Sequence, residues 1–571
     1  MVPSARLNTL VRKRLKRWAL VTALGREAGW RHVASLAVLA ATGTALDLTG
    51  LGLVVAILFG GAGSLSITNL PLAFRLSAGQ AVLALVLLMV LRGGLQAAVA
   101  VAHEQLRSGF TDRLRHQLLH RVLLAPTGHL GQMGRGELLG LLMTDISRTV
   151  LALDQGIRCL QALLAALLYA TGVLMVGRQA AVPLLAGLVA TALAALLQRS
   201  GSWELGQVQS RLHGALQRTL GDGLHGLKAV RTAGAEPWVL ERFARETAMV
   251  RRVLREGVRR QAFFGALRDG LVVGVVGLWL LWGRADLVPS AMATTLLLAY
   301  RASGSASAVI QAQRLCLGCL PGYAALRELR ERLGEPRALL GAAGWSLGEP
   351  LLAVAWEGGK EPLAVRRGEL VVVAGPSGSG KTTLLDRFCG QLGEEQSHWS
   401  LTVAGGPPLH LSGPTGVRHW RSLVAYAPQK AVLFECSLRE NLLLQRSGDG
   451  AVSNGLLEGW LEELDLAHLL ERPGGLEAGL NLSMECFSGG EIHRLGLLRA
   501  WLLDRPIEVL DEPTAFLDAS AAERVRQIIR RRSRERLVVV SSHDAELVTQ
   551  AGTVVRPGGD GAEAIYGVGN T

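Results

Sequence analysis

A chain of 571 residues with 60 Lys+Arg against 47 Asp+Glu carries a formal net charge of +13, and 49% of it is hydrophobic. Long apolar stretches are confined to the first 320 residues, which excludes one uniform soluble domain and predicts two unlike halves. The excess positive charge flanks those stretches and so argues against a nucleic-acid partner, and the six scattered cysteines argue against a disulfide framework.

In chain order, the run VRKRLKRWAL at 11–20 is too basic for a signal-peptide core and reads as an amphipathic helix lying on an anionic membrane surface. Six apolar runs follow, at about 33–58, 79–102, 159–177, 180–198, 262–283 and 288–312. Each is near the roughly 20 residues that a membrane-crossing helix needs. Eight Lys/Arg precede the first run, and the successive loops hold one (Arg75), six from Arg107 to Arg148, one (Arg178), twelve from Arg199 to Arg260 and one (Arg284). That alternation follows the positive-inside rule and puts the N-terminus, both long loops and everything after the sixth span in the cytoplasm. Membrane lipids are therefore the first expected partner, and a multi-pass protein of the bacterial inner membrane is the expected location.

The two long loops, about 103–157 and 199–260, are helix-compatible and read as cytosolic extensions of the membrane helices. Pro126 with Gly128, and Gly234 with Pro237, break them at 125–130 and 233–238, the expected coupling turns. Asp47, Arg92, Arg268, Asp269 and Arg301 fall inside the spans and should face a cavity or a partner charge. Cys316 and Cys319 form a C-x-x-C with no second Cys/His pair nearby, so packing is their expected role. A Gly/Pro-containing linker at 332–350 divides an all-α membrane domain, 1–331, from an α/β domain of the P-loop NTPase type, 351–571.

In that second domain the apolar run 370–374 delivers Gly375, Pro376, Ser377, Gly378, Ser379, Gly380, Lys381 and Thr382, a complete phosphate-binding loop, and a helix-compatible run starts at Thr383. Glycines let backbone N–H groups close around phosphates, Lys381 reaches the β/γ-phosphates, and the Thr382 hydroxyl takes a Mg²⁺ position. The run IEVLDE ends in Asp511, suited to Mg²⁺, and Glu512, suited to polarising water. Phe487, Ser488, Gly489, Gly490 and Glu491 open a helix-compatible stretch at 492–503, a second place where a helix N-terminus can hold phosphate.

With these motifs in this order, the chain resembles the ATP-binding cassette transporters, and the six spans before them resemble the exporter type. The resemblance implies ATP and Mg²⁺ as cofactors. It makes 375–382 the Walker A loop, Gln429 the loop glutamine that senses Mg²⁺, Ser488, Gly489 and Gly490 the signature, Asp511 the Walker B acid, Glu512 the catalytic carboxylate, Asp518 the D-loop acid and His543 the switch histidine. It gives Trp356 to stacking on adenine. Phe487 and Glu491 stand where the family commonly has Leu and Gln, and Glu508 interrupts the apolar strand, yet no catalytic group is lost. The resemblance implies a half-transporter that hydrolyses ATP only as a dimer, with itself or with a second half-transporter. The front half, with residues 45–53 in its first span, is similar to exporters of lipid-linked saccharides, and the ATPase half to thiol exporters.

Overall fold

The apolar runs of the first half fold into helices much longer than a bilayer is thick. The computed structural model describes residues 17–59, 65–66, 75–76, 78–125, 133, 135–176, 202–282, 289–334, 350–357, 363–392, 398–444, 452–480, 487–558 and 561–566. Most of the basic N-terminal run, the expected span 180–198, most of the turn at 125–130 and most of the linker lie outside these residues. The chain parts into two compact units between Pro336 and Arg337.

In the first unit, helices Trp30–Phe59, Ala78–Leu124, Ile146–Val176, Glu236–Trp282 and Pro289–Leu333 cover most of the other five apolar runs. Among the described residues three helical segments, Trp30–Val55, Gly79–Leu124 and Leu138–Gly172, are long and apolar enough to cross a membrane. Ala78–Leu124 and Glu236–Trp282 each have 47 residues, about 70 Å at 1.5 Å per residue against a hydrocarbon core of about 30 Å. The expected break near 233–238 is present: Gly234 takes φ +60°, Ala235 N–H bonds back to the Val230 carbonyl at 2.9 Å, and a new helix begins at Glu236.

Glycines also set how closely these helices pack. A Cβ on Gly206 would lie 2.0 Å from the Gly318 carbonyl oxygen, so helix Ser202–His225 meets Pro289–Leu333 backbone to backbone. Arg148 ties the crossing, donating from Nη2 to the Gly206 and Gly318 carbonyls at 2.9 and 3.0 Å and from Nη1 to the Ser210 hydroxyl.

The second unit is built on a six-stranded sheet. Its order, from one edge, is Gly561–Tyr566, Thr553–Gly558, Leu370–Val373, Leu537–Ser541, Ile507–Asp511 and Val424–Ala427. All neighbours pair parallel except the first two. Near-continuous apolar runs such as LVVV and LVVVS are what a sheet buried on both faces requires. Glu508, the acid inside one such strand, is buried and neutralised by Arg532, whose Nε donates to its two oxygens at 2.8 and 3.0 Å. A four-stranded antiparallel sheet, Leu363–Arg366, Leu351–Glu357, His398–Val403 and Leu409–Leu411, packs beside it. Between the two sheets lies an aromatic core of Trp356, Phe388, Trp399 and Trp420.

Candidate functional site

Parallel strands carry their ligands at the carboxyl ends, and the register here brings three of them level. Ser541 pairs with Val373 on one side and with Asp511 on the other. The loop after Val373, the acids at 511 and 512 and the segment after Ser541 therefore converge. The loop needs positive φ at Gly378 (+83°) and Gly380 (+92°), a region that disfavours side chains. Helix Lys381–Phe388 follows, its first N–H groups lacking acceptors within the helix and pointing back at the loop. That helix is clamped from behind: the indole N–H groups of Trp399 and Trp420 both donate to the Phe388 carbonyl, at 3.1 and 2.6 Å.

Lys381 is buried, with its ammonium donating to the Gly375 and Pro376 carbonyls at 2.9 and 3.3 Å and lying 3.3 Å from Glu512 Oε1. His543 Nε2 is 2.9 Å from that same carboxylate oxygen and 3.2 Å from Lys381 Nζ. Facing an acceptor and a donor, this nitrogen can donate to Glu512 or accept from Lys381, so its tautomer sets the hydrogen-bond pattern around the carboxylate. Glu512 itself sits at φ +52°, held there by its N–H, which donates to the Ser541 hydroxyl and carbonyl, both at 3.0 Å. A strained non-glycine backbone kept by specific bonds is a common property of reactive positions.

The Ser379 hydroxyl is buried without a hydrogen-bond partner inside a glycine loop at a helix N-terminus, which fits a phosphate. The Thr382 hydroxyl donates to Asp511 Oδ2 at 2.9 Å, and the Ser541 hydroxyl donates to Asp511 Oδ1. A hydroxyl and an oriented carboxylate are hard oxygen donors of the kind Mg²⁺ takes. Gln429 lies two residues beyond the end of the strand Val424–Ala427, at the same sheet edge, and among the described residues makes no hydrogen bond to Thr382 or Asp511.

The signature residues are built differently. Ser488 is the N-cap of helix Gly489–Leu502: its hydroxyl accepts from the Glu491 N–H at 3.1 Å, and the Glu491 carboxylate accepts from the Ser488 N–H at 2.7 Å. Burial pushes the Glu491 carboxyl up, but the bonds from Ser488 and from His468, at 2.8 Å, outweigh it and hold the group below its usual range. Glu491 thus completes a capping box. A Cβ on Gly490 would lie 3.0 Å from the Phe516 carbonyl oxygen, so this glycine permits close approach to the 515–518 segment. Asp518 caps helix Ala519–Ser533, accepting from the Ala521 N–H at 2.8 Å.

One expectation is corrected. Trp356 is 1% exposed and sits edge-on to Phe388, ring centroids 5.9 Å apart, in the core between the sheets. A ring buried this completely in the core has no face left for adenine. Trp356→Leu is expected to lower the melting temperature and leave ATP affinity within twofold of wild type; a large loss of affinity in folded protein would restore the stacking role. Two residues were missed by the motif reading. Ser541, the polar end of an apolar strand, orients both acids. His493 is buried, donates from Nε2 to the Pro513 carbonyl at 3.1 Å and has its pKa lowered by that burial.

Comparison with known proteins agrees with this geometry. A profile of the ABC transporter family matches residues 362–515. Over 514 residues the chain is 24% identical to an ATP-dependent lipid A-core flippase of Nitrosococcus oceani, covering 83% of this chain and 81% of that protein. It is 34% identical over 181 residues to the glutathione/L-cysteine transport system ATP-binding/permease protein CydC of Escherichia coli, 32% of this chain and 30% of the relative. Residues 362–515 are an ABC transporter domain. ATP is therefore the nucleotide of the transporter's loop at Gly375–Thr382. The fold of a bacterial Atm1-family ABC exporter with ATP bound matches the transporter with a TM-score of 0.74 at 17% identity, over 95% of this chain and 96% of the other. Its architecture is thus a helical membrane region followed by an α/β nucleotide-binding domain.

Proposed function

We propose that this chain is half of an ATP-driven exporter that works as a dimer. The observation that carries the reading is the division of the site: the phosphate loop, Asp511, Glu512 and His543 converge in one place, whereas the Ser488 hydroxyl is bonded to Glu491. Among the described residues Ser488 makes no hydrogen bond to Lys381, Thr382, Asp511, Glu512 or His543. A second copy supplies the missing signature over the ATP phosphates. ATP binding then closes two domains, and hydrolysis releases them, shifting the membrane helices between two populations.

In that cycle Mg²⁺ would be held by Thr382 and Asp511, with Gln429 at the rim, and would screen the phosphate charge when bound. Glu512 orients and deprotonates water, and His543 positions that carboxylate and the terminal phosphate. The nucleotide-binding domain and the N-terminus lie in the cytoplasm of a bacterial inner membrane. A homodimer is the favoured assembly, because both half-sites are intact in one chain. The transported molecule is a lipid or lipid-linked saccharide, in line with the flippase relative, or a thiol, in line with the CydC relative.

Ser488→Ala in every copy is expected to reduce ATPase activity at least tenfold with Walker A untouched. The capping box would also be lost, at about 1 kcal/mol of helix stability. Full activity in that variant would overturn the composite site. Mass measured in detergent distinguishes the assemblies: a monomer, or a dimer active only with another chain, would exclude the homodimer. Reconstituted vesicles test export itself. ATP-dependent accumulation supports it, and ATP-gated passive flux would instead make the protein a membrane regulator.

A further inference from the structure

Charges inside membrane helices are costly unless matched, so their partners identify what they are for. Asp47 lies deep in helix Trp30–Phe59 and is 3% exposed. Its Oδ2 accepts from the Tyr169 hydroxyl of helix Ile146–Val176 at 2.7 Å, and its Oδ1 lies 3.2 Å from Arg92 Nη2 of helix Ala78–Leu124. Arg301 of helix Pro289–Leu333 reaches the same carboxylate only at 3.7 Å, beyond a good hydrogen bond. Four helices, separated in sequence by up to about 250 residues, thus meet on one acid. Next to the cluster, Tyr169 packs with Leu298, Ala302, Leu48 and Leu51, an apolar surround.

Among the described residues, one carboxylate facing two guanidiniums leaves one positive charge in excess. Asp47 and Tyr169 satisfy each other, and Arg92 is held by Asp47 and by a 4.0 Å contact to the Met89 sulfur, with its Nε buried and unpartnered. Arg301 is held least: its side chain is 42% exposed, and among the described residues its one charged partner is Asp47, at that longer distance. A guanidinium of that kind offers a planar fork of donors matched to a carboxylate or phosphate. Structural pairing of helices would call for one arginine per acid, so the second is surplus to it.

We propose that Arg301, with Arg92 behind it, binds a singly charged anionic group of the transported molecule, a carboxylate or a phosphodiester, at the Asp47–Tyr169 cluster. Binding one such anion brings the cluster to formal neutrality, and Asp47 disfavours a second. Asp47 and Tyr169 are positioning residues: they hold Arg92 and limit the charge the site accepts. The assignment deepens the export reading and rests on it.

The experiment is binding by native mass spectrometry of the full-length protein, with phosphatidylglycerol as the lipid probe and glutathione as the soluble one. Wild type is expected to bind at least one of them. Arg301→Ala is expected to weaken that binding at least tenfold, with Arg301→Lys intermediate, and Asp47→Asn to tighten it severalfold by removing the opposing charge. Basal ATPase activity without probe should stay near wild type in the Arg301 variants, which shows that they fold and keeps the test independent of the nucleotide site. Binding of phosphatidylglycerol alone places the anion on a lipid headgroup, and binding of glutathione alone places it on a soluble molecule. Failure of wild type to bind either probe, or equal binding by wild type and Arg301→Ala, would overturn the proposal. Absence of ATP-driven movement of any solute in vesicles would instead count against export.

Discussion

Glu512→Gln is expected to bind ATP normally and to hydrolyse it at least a hundredfold more slowly. The amide keeps the size of the side chain and can still accept from His543 or Lys381, 2.9 and 3.3 Å from the present oxygen. It cannot take a proton from water, and general bases contribute about 10²–10⁴ in rate. The strained backbone at this position is set by bonds from the 512 N–H to Ser541, which the substitution leaves in place. ATP affinity measured by equilibrium titration, alongside phosphate release, checks both halves. Hydrolysis at the wild-type rate would remove Glu512 from the chemistry and direct attention to His543.

Lys381→Ala is expected to fail one step earlier, at binding. Its ammonium is the cation that the loop folds around, bonded to two loop carbonyls and to the buried Glu512. Deleting it removes the charge that meets the ATP phosphates and leaves the Glu512 carboxylate buried beside His543 alone. A loss of ATP affinity of at least tenfold is expected, with hydrolysis falling in parallel at subsaturating nucleotide. Unchanged affinity would mean that backbone N–H groups alone hold the phosphates.

How much of this was legible in the sequence follows from how local each feature is. The phosphate loop was legible because Gly378, Gly380 and Lys381 act within a few residues of one another, on backbone geometry that composition dictates. The strand ending in Asp511 and Glu512 was legible from its apolar run, although the role of Glu508 within it was not, because Arg532 stands 24 residues away. Trp356 was misjudged from its residue type. Strand alternation held the better signal, since Val354 and Trp356 point the same way and both are buried. In the membrane helices the positions of Asp47, Arg92 and Arg301 were visible as charges in apolar runs, but not their meeting, which depends on how four helices pack. Tyr169 gave no such sign, a phenol being unremarkable in an apolar helix.

The two indoles that converge on the Phe388 carbonyl fill both lone pairs of one oxygen at the C-terminal end of the helix that begins with Lys381. The catalytic loop is thereby aimed from its far end, like a lever fixed at the heel. Trp399 and Trp420 come from a strand and a helix of the neighbouring layer, so drift in that layer is transmitted along the eight residues of the helix to the lysine at its tip. Tryptophan cannot be exchanged for another large apolar residue at either position without freeing that end, because phenylalanine and leucine fill the space but carry no N–H. Aromatic identity in this core is therefore a matter of aim as well as volume.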